Sequence, residues 1–144
     1  MTFALRWRKT IVGGEVPQSL PHNLSPAEFG ILVEEALSTL PKEILAHMDN
    51  VAVIVAEWPS GDELRRAKVG SQTSLYGLYE GIPLTRRGTR YGLVPPDRIT
   101  LYRGPLLMAC RTVDALREQV RRTVVHEIAH HFGISEARIQ HLGY

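Results

Sequence analysis

The run Thr123-Val-Val-His-Glu-Ile-Ala-His130 carries two histidines and a glutamate, His126, Glu127 and His130, in a spacing that suits metal-assisted hydrolysis. Residues four apart on an α-helix differ by about 40° in azimuth and stand about 6 Å apart, so both imidazoles can reach one ion. Neutral imidazole suits Zn²⁺, and two ligands on one rigid helix fix their mutual angle without loop entropy. Glu127 points to a neighbouring strip of the helix. From there its carboxylate can hydrogen-bond a water at the ion and accept its proton as general base. Thr123, Val124, Val125, Ile128, Ala129 and Phe132 around the motif are uncharged, as a helix carrying a metal through a core requires.

Two imidazoles and a water leave a tetrahedral zinc ion one ligand short. Glu136 lies six positions beyond His130 with Gly133 midway, which extends the pattern to HExxHxxGxxE. Glycine is suited to that point, because the helix must stop and the chain must reverse to bring residue 136 back. The expected site is therefore one Zn²⁺ per chain on His126, His130 and Glu136, with Glu127 as the catalytic base. Among the remaining candidates, His131 projects near the Val113/Val120 stripe and reads as a core histidine, and His141 as a surface residue. Cys110 reads as a small buried hydrophobe. Tyr102 and Tyr144 are candidates for stabilising an oxyanion.

The elements that must position these groups follow from periodicity. Ser25-Pro26 is a helix start, and Phe29, Leu32, Val33, Ala36, Leu37 and Leu40 recur at helical spacing up to Pro41. Val51 to Ala56 is a β-branched run expected as a central strand buried on both faces. Residues 58–97, rich in Gly, Pro and Arg, are expected to be loops with one or two short strands. Arg98 to Arg103 alternates and reads as a half-buried strand stopped by Gly104-Pro105, a candidate edge for pairing with an extended substrate. A loop or short helix around 106–111 follows. Asp114 is the expected N-cap of a long helix to about Phe132, with Gly133 as left-handed C-cap and Ser135 capping a last short helix through Leu142.

The stretches PKEILAHMDNVAVIVAEWP, LYGLYEGIPLTRR, PPDRITLYRGPL and VRRTVVHEIAHHFGISEARIQHLGY resemble a small bacterial family of zincin-like metallopeptidases. The spacing of the last is also similar to the metzincin signature HExxHxxGxxH/D, with Glu136 in the final place. The resemblance covers most of residues 25–144. It implies an α+β, minimal zincin-like fold: a small mixed β-sheet, an N-terminal helix, a long HExxH active-site helix and a short C-terminal helix. It also implies a divalent metal on His126 and His130 with Glu127 as base. Family members often carry Asp where this chain has Glu136, and all three methionines precede the motif, so the chain has no counterpart of the metzincin Met-turn. Residues 1–24 fall outside the resemblance and read as an irregular extension or an added edge strand, leaving 25–144 as one domain.

A chain of 144 residues suits a single core that needs no metal to fold, which assigns any metal to chemistry. A net charge of +2, with the Arg pairs 65/66, 86/87 and 121/122 in separate segments, argues against a nucleic-acid partner. The lone cysteine fits a reducing compartment. No apolar run approaches the ~20 residues of a membrane span, and the N-terminus has no apolar stretch of signal-peptide length. The expectation is a cytoplasmic zinc peptidase acting on a peptide or protein substrate. The alternatives are a metal-binding but inactive zincin-fold module, and a metal-dependent RNase using His126, His130 and Glu136, a spacing shared with some bacterial ribosome-maturation nucleases.

Overall fold

The structure, a computed structural model, describes residues 3–5, 23–81 and 96–144. Ser25 caps α1 (Pro26–Ser38) as expected: its hydroxyl accepts from the Glu28 amide and the Glu28 carboxylate accepts from the Ser25 amide. That reciprocal pair satisfies two donors that a helix start leaves without partners. Phe29, Leu32, Val33, Ala36 and Leu37 are buried. After Pro41 comes the single turn α2 (Lys42–Leu45).

The architecture is α+β, built on a four-stranded sheet in the order β1 (Phe3–Leu5), β2 (Val51–Ala56), β4 (Asp97–Tyr102), β3 (Gly77–Glu80). β2 and β4 run parallel, and the two outer strands are antiparallel to their neighbours. The register places Val53 opposite Ile99 and Val55 opposite Leu101, so these four side chains share the face that packs against the helices. β2 is central but not buried on both faces. Val51, Val53 and Val55 are buried, whereas Ala52, Ile54 and Ala56 on the other face are only half-buried. The reason is uneven cover, because the longer helices lie on one side and the seven-residue α3 (Gly61–Ala67) on the other.

Two further expectations are corrected here. The strand at Arg98–Arg103 is no edge; it lies between β2 and β3, and Arg103 begins α4 (Arg103–Ala109). Pro105 sits in the first turn of that helix, where a missing N–H breaks no intrahelical bond. The stretch expected as loops contains α3, capped by a Ser60/Glu63 capping box, and a 3₁₀ turn at Gln72–Ser74. α3 has no buried residue and hence no apolar stripe to announce it.

α5 (Val113–Phe132) is the longest element and packs on α1, α2, α4 and β3. Its N-cap is Thr112 rather than Asp114: the Thr112 hydroxyl accepts from the Ala115 amide at 3.0 Å. Asp114 sits in the first turn, where a carboxylate favours the helix dipole, and pairs with Arg117. Gly133, at φ 71°, ends α5 in the left-handed conformation, and Ser135 caps α6 (Glu136–His141), both as expected. Of residues 1–24, Phe3–Leu5 pairs with β2 as an edge strand, and residues 6–22 lie outside the described residues. Among the described residues no helix is long and apolar enough to cross a membrane.

Candidate active site

His126 and His130 lie on successive turns of α5, which is anchored through Val120, Val124, Val125, Ile128 and Ala129 in the core. The two rings stand 6.4 Å apart, centroid to centroid, with their planes 76° apart. Two imidazoles sharing a tetrahedral zinc, with Zn–N near 2.0–2.1 Å, would bring their centroids to about 5 Å. The rings stand wider than that, with His130 exposed and two imidazoles on one helix as the donors. The donor set therefore fits a borderline ion such as zinc. Glu136 is exposed in the first turn of α6. Among the described residues no three His, Cys, Asp or Glu side chains are gathered closely enough to hold an ion, so Glu136 does not join the pair in this structure.

Glu127 is half-buried, and the backbone amide of Tyr79 donates to its Oε2 at 2.9 Å. Burial raises its carboxyl above the ordinary range, while the Tyr79 N–H and the His130 and His126 imidazoles pull the other way. A carboxylate raised in this sense is a better proton acceptor near neutrality than an exposed one. The Tyr79 amide is available because of the sheet register. The Tyr102 amide donates to the Tyr76 carbonyl, so alternate residues of β3 turn toward β4, and Gly77 and Tyr79 turn their N–H and C=O groups outward. The outer edge of β3 thus runs alongside the face of α5 that carries Glu127.

That approach is close. A Cβ on Gly77 would stand 2.6 Å from Thr123 Cγ2, so only glycine lets β3 lie this near the helix. A cleft of about 300 Å³ opens beside this contact, between Ser74–Gly77 and the helix face of Gln119, Arg122, Thr123, His126 and Glu127. At the other end of α5 the Tyr79 ring stacks on His131 with centroids 4.0 Å apart, and its hydroxyl donates to Asp97 at 2.7 Å. His131 is therefore a partly exposed residue clamping β3, not a core histidine; its Nε2 is 3.8 Å from Asp97 Oδ2.

The other candidates fall elsewhere. Tyr102 is fully buried and its hydroxyl donates to Glu63 of α3, on the sheet face away from α5, so it cannot serve as an oxyanion donor at this site. Tyr144 is half-buried against the core, His141 is exposed, and Cys110 packs on the core with its thiol raised by burial. The Tyr79 amide and the cleft-lining Gln119 and Arg122 were missed from the sequence. A signal existed for the last two, since 119, 122, 123 and 126 recur at the spacing of one helix face. A backbone amide has no such signal.

A helix-borne HExxH set against the edge strand of a small mixed sheet defines a zincin-type α+β architecture. The family model described as zincin-like metallopeptidase matches residues 48–144, and the chain belongs to that family. No curated protein matches the chain.

Proposed function

We propose that this chain is a metal-dependent peptidase, with Zn²⁺ held by His126, His130 and Glu136 and with Glu127 as general base. The observation that carries this reading is the placement of Glu127. It lies in one cleft with His126, its carboxyl is raised by burial, and the outer edge of β3 holds it by one hydrogen bond. Zinc bound there supplies Lewis acidity, polarising a scissile carbonyl and acidifying a water. Glu127 then takes the proton from the attacking water and passes it to the leaving amine. The outer edge of β3 at Gly77, rather than β4, is the surface along which an extended peptide would pair, the neighbouring Tyr79 amide being engaged by Glu127. Glu136 enters as third ligand from its spacing beyond Gly133.

The test is elemental analysis and peptide turnover of zinc-loaded protein, prepared without chelators or a histidine tag. One zinc per chain in wild type is expected, lost in His130→Ala and weakened in Glu136→Ala. Glu127→Gln is expected to keep the metal and abolish turnover. An active Glu127→Gln protein refutes the assignment of the base, and full zinc in Glu136→Ala refutes the third ligand.

A further inference from the structure

We propose that the cleft beside His126 recognises a carboxylate of the substrate and that Arg122 selects it; this deepens the peptidase reading and rests on it. Arg122 stands one helical turn from His126 and lines the same 300 Å³ cleft. Among the described residues its ion pair is with one carboxylate, which it shares. The carboxylate paired with it, Glu118, lies 3.4 Å from Arg122 Nε and is shared with Arg121, which holds it more closely at 3.0 and 3.1 Å. Glu118 is thus shared between two guanidinium groups and neutralises Arg122 only in part. The Tyr144 phenol, uncharged at neutral pH, borders the same three charges and does not offset the remainder.

The geometry suits an anion of one particular shape. Glu118 engages Arg122 through Nε, and the side chain is 47% exposed, so the planar group retains N–H donors for an incoming oxygen pair. A guanidinium meets a carboxylate through two parallel hydrogen bonds, a match that a neutral amide of equal size does not reproduce. The Gln119 amide and Ser74 hydroxyl on the cleft walls add neutral donors. The paired donors sit at the Arg122 end of the cleft, one helical turn from His126. The carboxylate they meet comes either from an acidic side chain near the scissile bond or from the end of the peptide chain.

The experiment uses the full chain as the zinc-loaded Glu127→Gln protein, so that binding is read without turnover. The probes are labelled peptides blocked at both ends, with Glu, Gln or Leu scanned through each position, and the Gln series with a free α-carboxylate. Peptides carrying the carboxylate in one register are expected to bind about tenfold tighter than their Gln-amide counterparts. Adding Arg122→Gln should bring that ratio to about one while leaving the blocked Gln peptide within about twofold, and Arg122→Lys should restore part of it. Preference for the blocked Glu peptides assigns the site to a side chain, and preference for the free terminus assigns it to a chain end. Equal binding of Glu and Gln peptides with no gain from a free terminus, a preference that survives Arg122→Gln, or no peptide binding overturns the proposal. Wild-type protein that binds carboxylate peptides without cleaving them refutes the peptidase reading alone. Cleavage that ignores the carboxylate refutes this proposal alone.

Discussion

Gly77→Ala tests the close approach that brings the β3 edge to Glu127. The new methyl would meet Thr123 Cγ2 at 2.6 Å, the Thr100 carbonyl oxygen at 3.2 Å and Leu101 Cδ2 at 3.3 Å. Gly77 does not have positive φ, so alanine is permitted by the backbone and the whole effect arises from contact. Relief from the 2.6 Å contact requires β3 and α5 to part by about 0.9–1.4 Å, since carbon pairs pack at about 3.5–4.0 Å. Thr123 has little room to yield, because it is buried and its hydroxyl donates to the Gln119 carbonyl at 2.8 Å. Overpacking of this kind costs about 1–3 kcal/mol, partly offset by the lower unfolded-state entropy of alanine. We expect a loss of about 2 kcal/mol in urea unfolding with an unchanged m-value. Thr123→Ser removes Cγ2 and keeps the hydroxyl, at a cost of about 0.5–1.5 kcal/mol. In the double variant one methyl has in effect moved from helix to strand, so its loss should fall short of the summed losses by about 1–2 kcal/mol. The Thr100 and Leu101 contacts keep recovery incomplete. Turnover should follow the same order, because the Tyr79 amide two residues along holds Glu127. Gly77→Ala within about 0.5 kcal/mol of wild type, or strict additivity of the pair, refutes the argument.

Other consequences are separable. Tyr102 is raised well above an ordinary phenol, by burial and by its hydrogen bond to Glu63, so the unfolded chain ionises first. Its stabilising contribution is whole below about pH 10 and declines as pH rises beyond that, and in Tyr102→Phe the alkaline slope of urea stability should flatten. Ser25→Ala removes the hydroxyl that accepts from the Glu28 amide while leaving the backbone N–H of residue 25 to donate to the Glu28 carboxylate, and should cost about 1 kcal/mol in the same assay. Gly133→Ala meets nothing within 4 Å of its new Cβ, so its cost is purely conformational. About 1–2 kcal/mol is expected, with Gly133→Asn milder; an unchanged Gly133→Ala protein refutes the left-handed cap.

The most legible parts of the sequence were those decided locally. The α5 stripe, the Gly133 and Ser135 caps and the HExxH pair follow from spacing along one helix, and the Ser25-Pro26 start from cap chemistry. What was not legible depends on neighbours remote in sequence. The pattern of β4 alternates whether it lies at an edge or in the centre, and only its pairing with both β2 and β3 decides. His131 lies near the core stripe on a helical wheel, yet its partner is Tyr79 on a strand that the sequence barely marks. Thr112 and Asp114 are both good cap residues two positions apart, and propensity alone does not rank them. A backbone amide such as that of Tyr79 is common to nearly every residue type, and only the register turns this one toward Glu127.

The family match begins at residue 48, but the apolar interior does not. Leu32, Val33, Ala36 and Leu37 of α1 share one buried cluster with Leu116, Val120 and Val124 of α5, the helix that carries the histidines. The unit of kinship and the unit of folding are thus different lengths of chain. A fragment trimmed to residues 48–144 would keep every proposed site residue while exposing the back of the helix that bears them. Such a fragment would be expected to gather into aggregates or recruit a substitute helix, and inactivity in it would report on its missing buttress rather than on the chemistry of the motif.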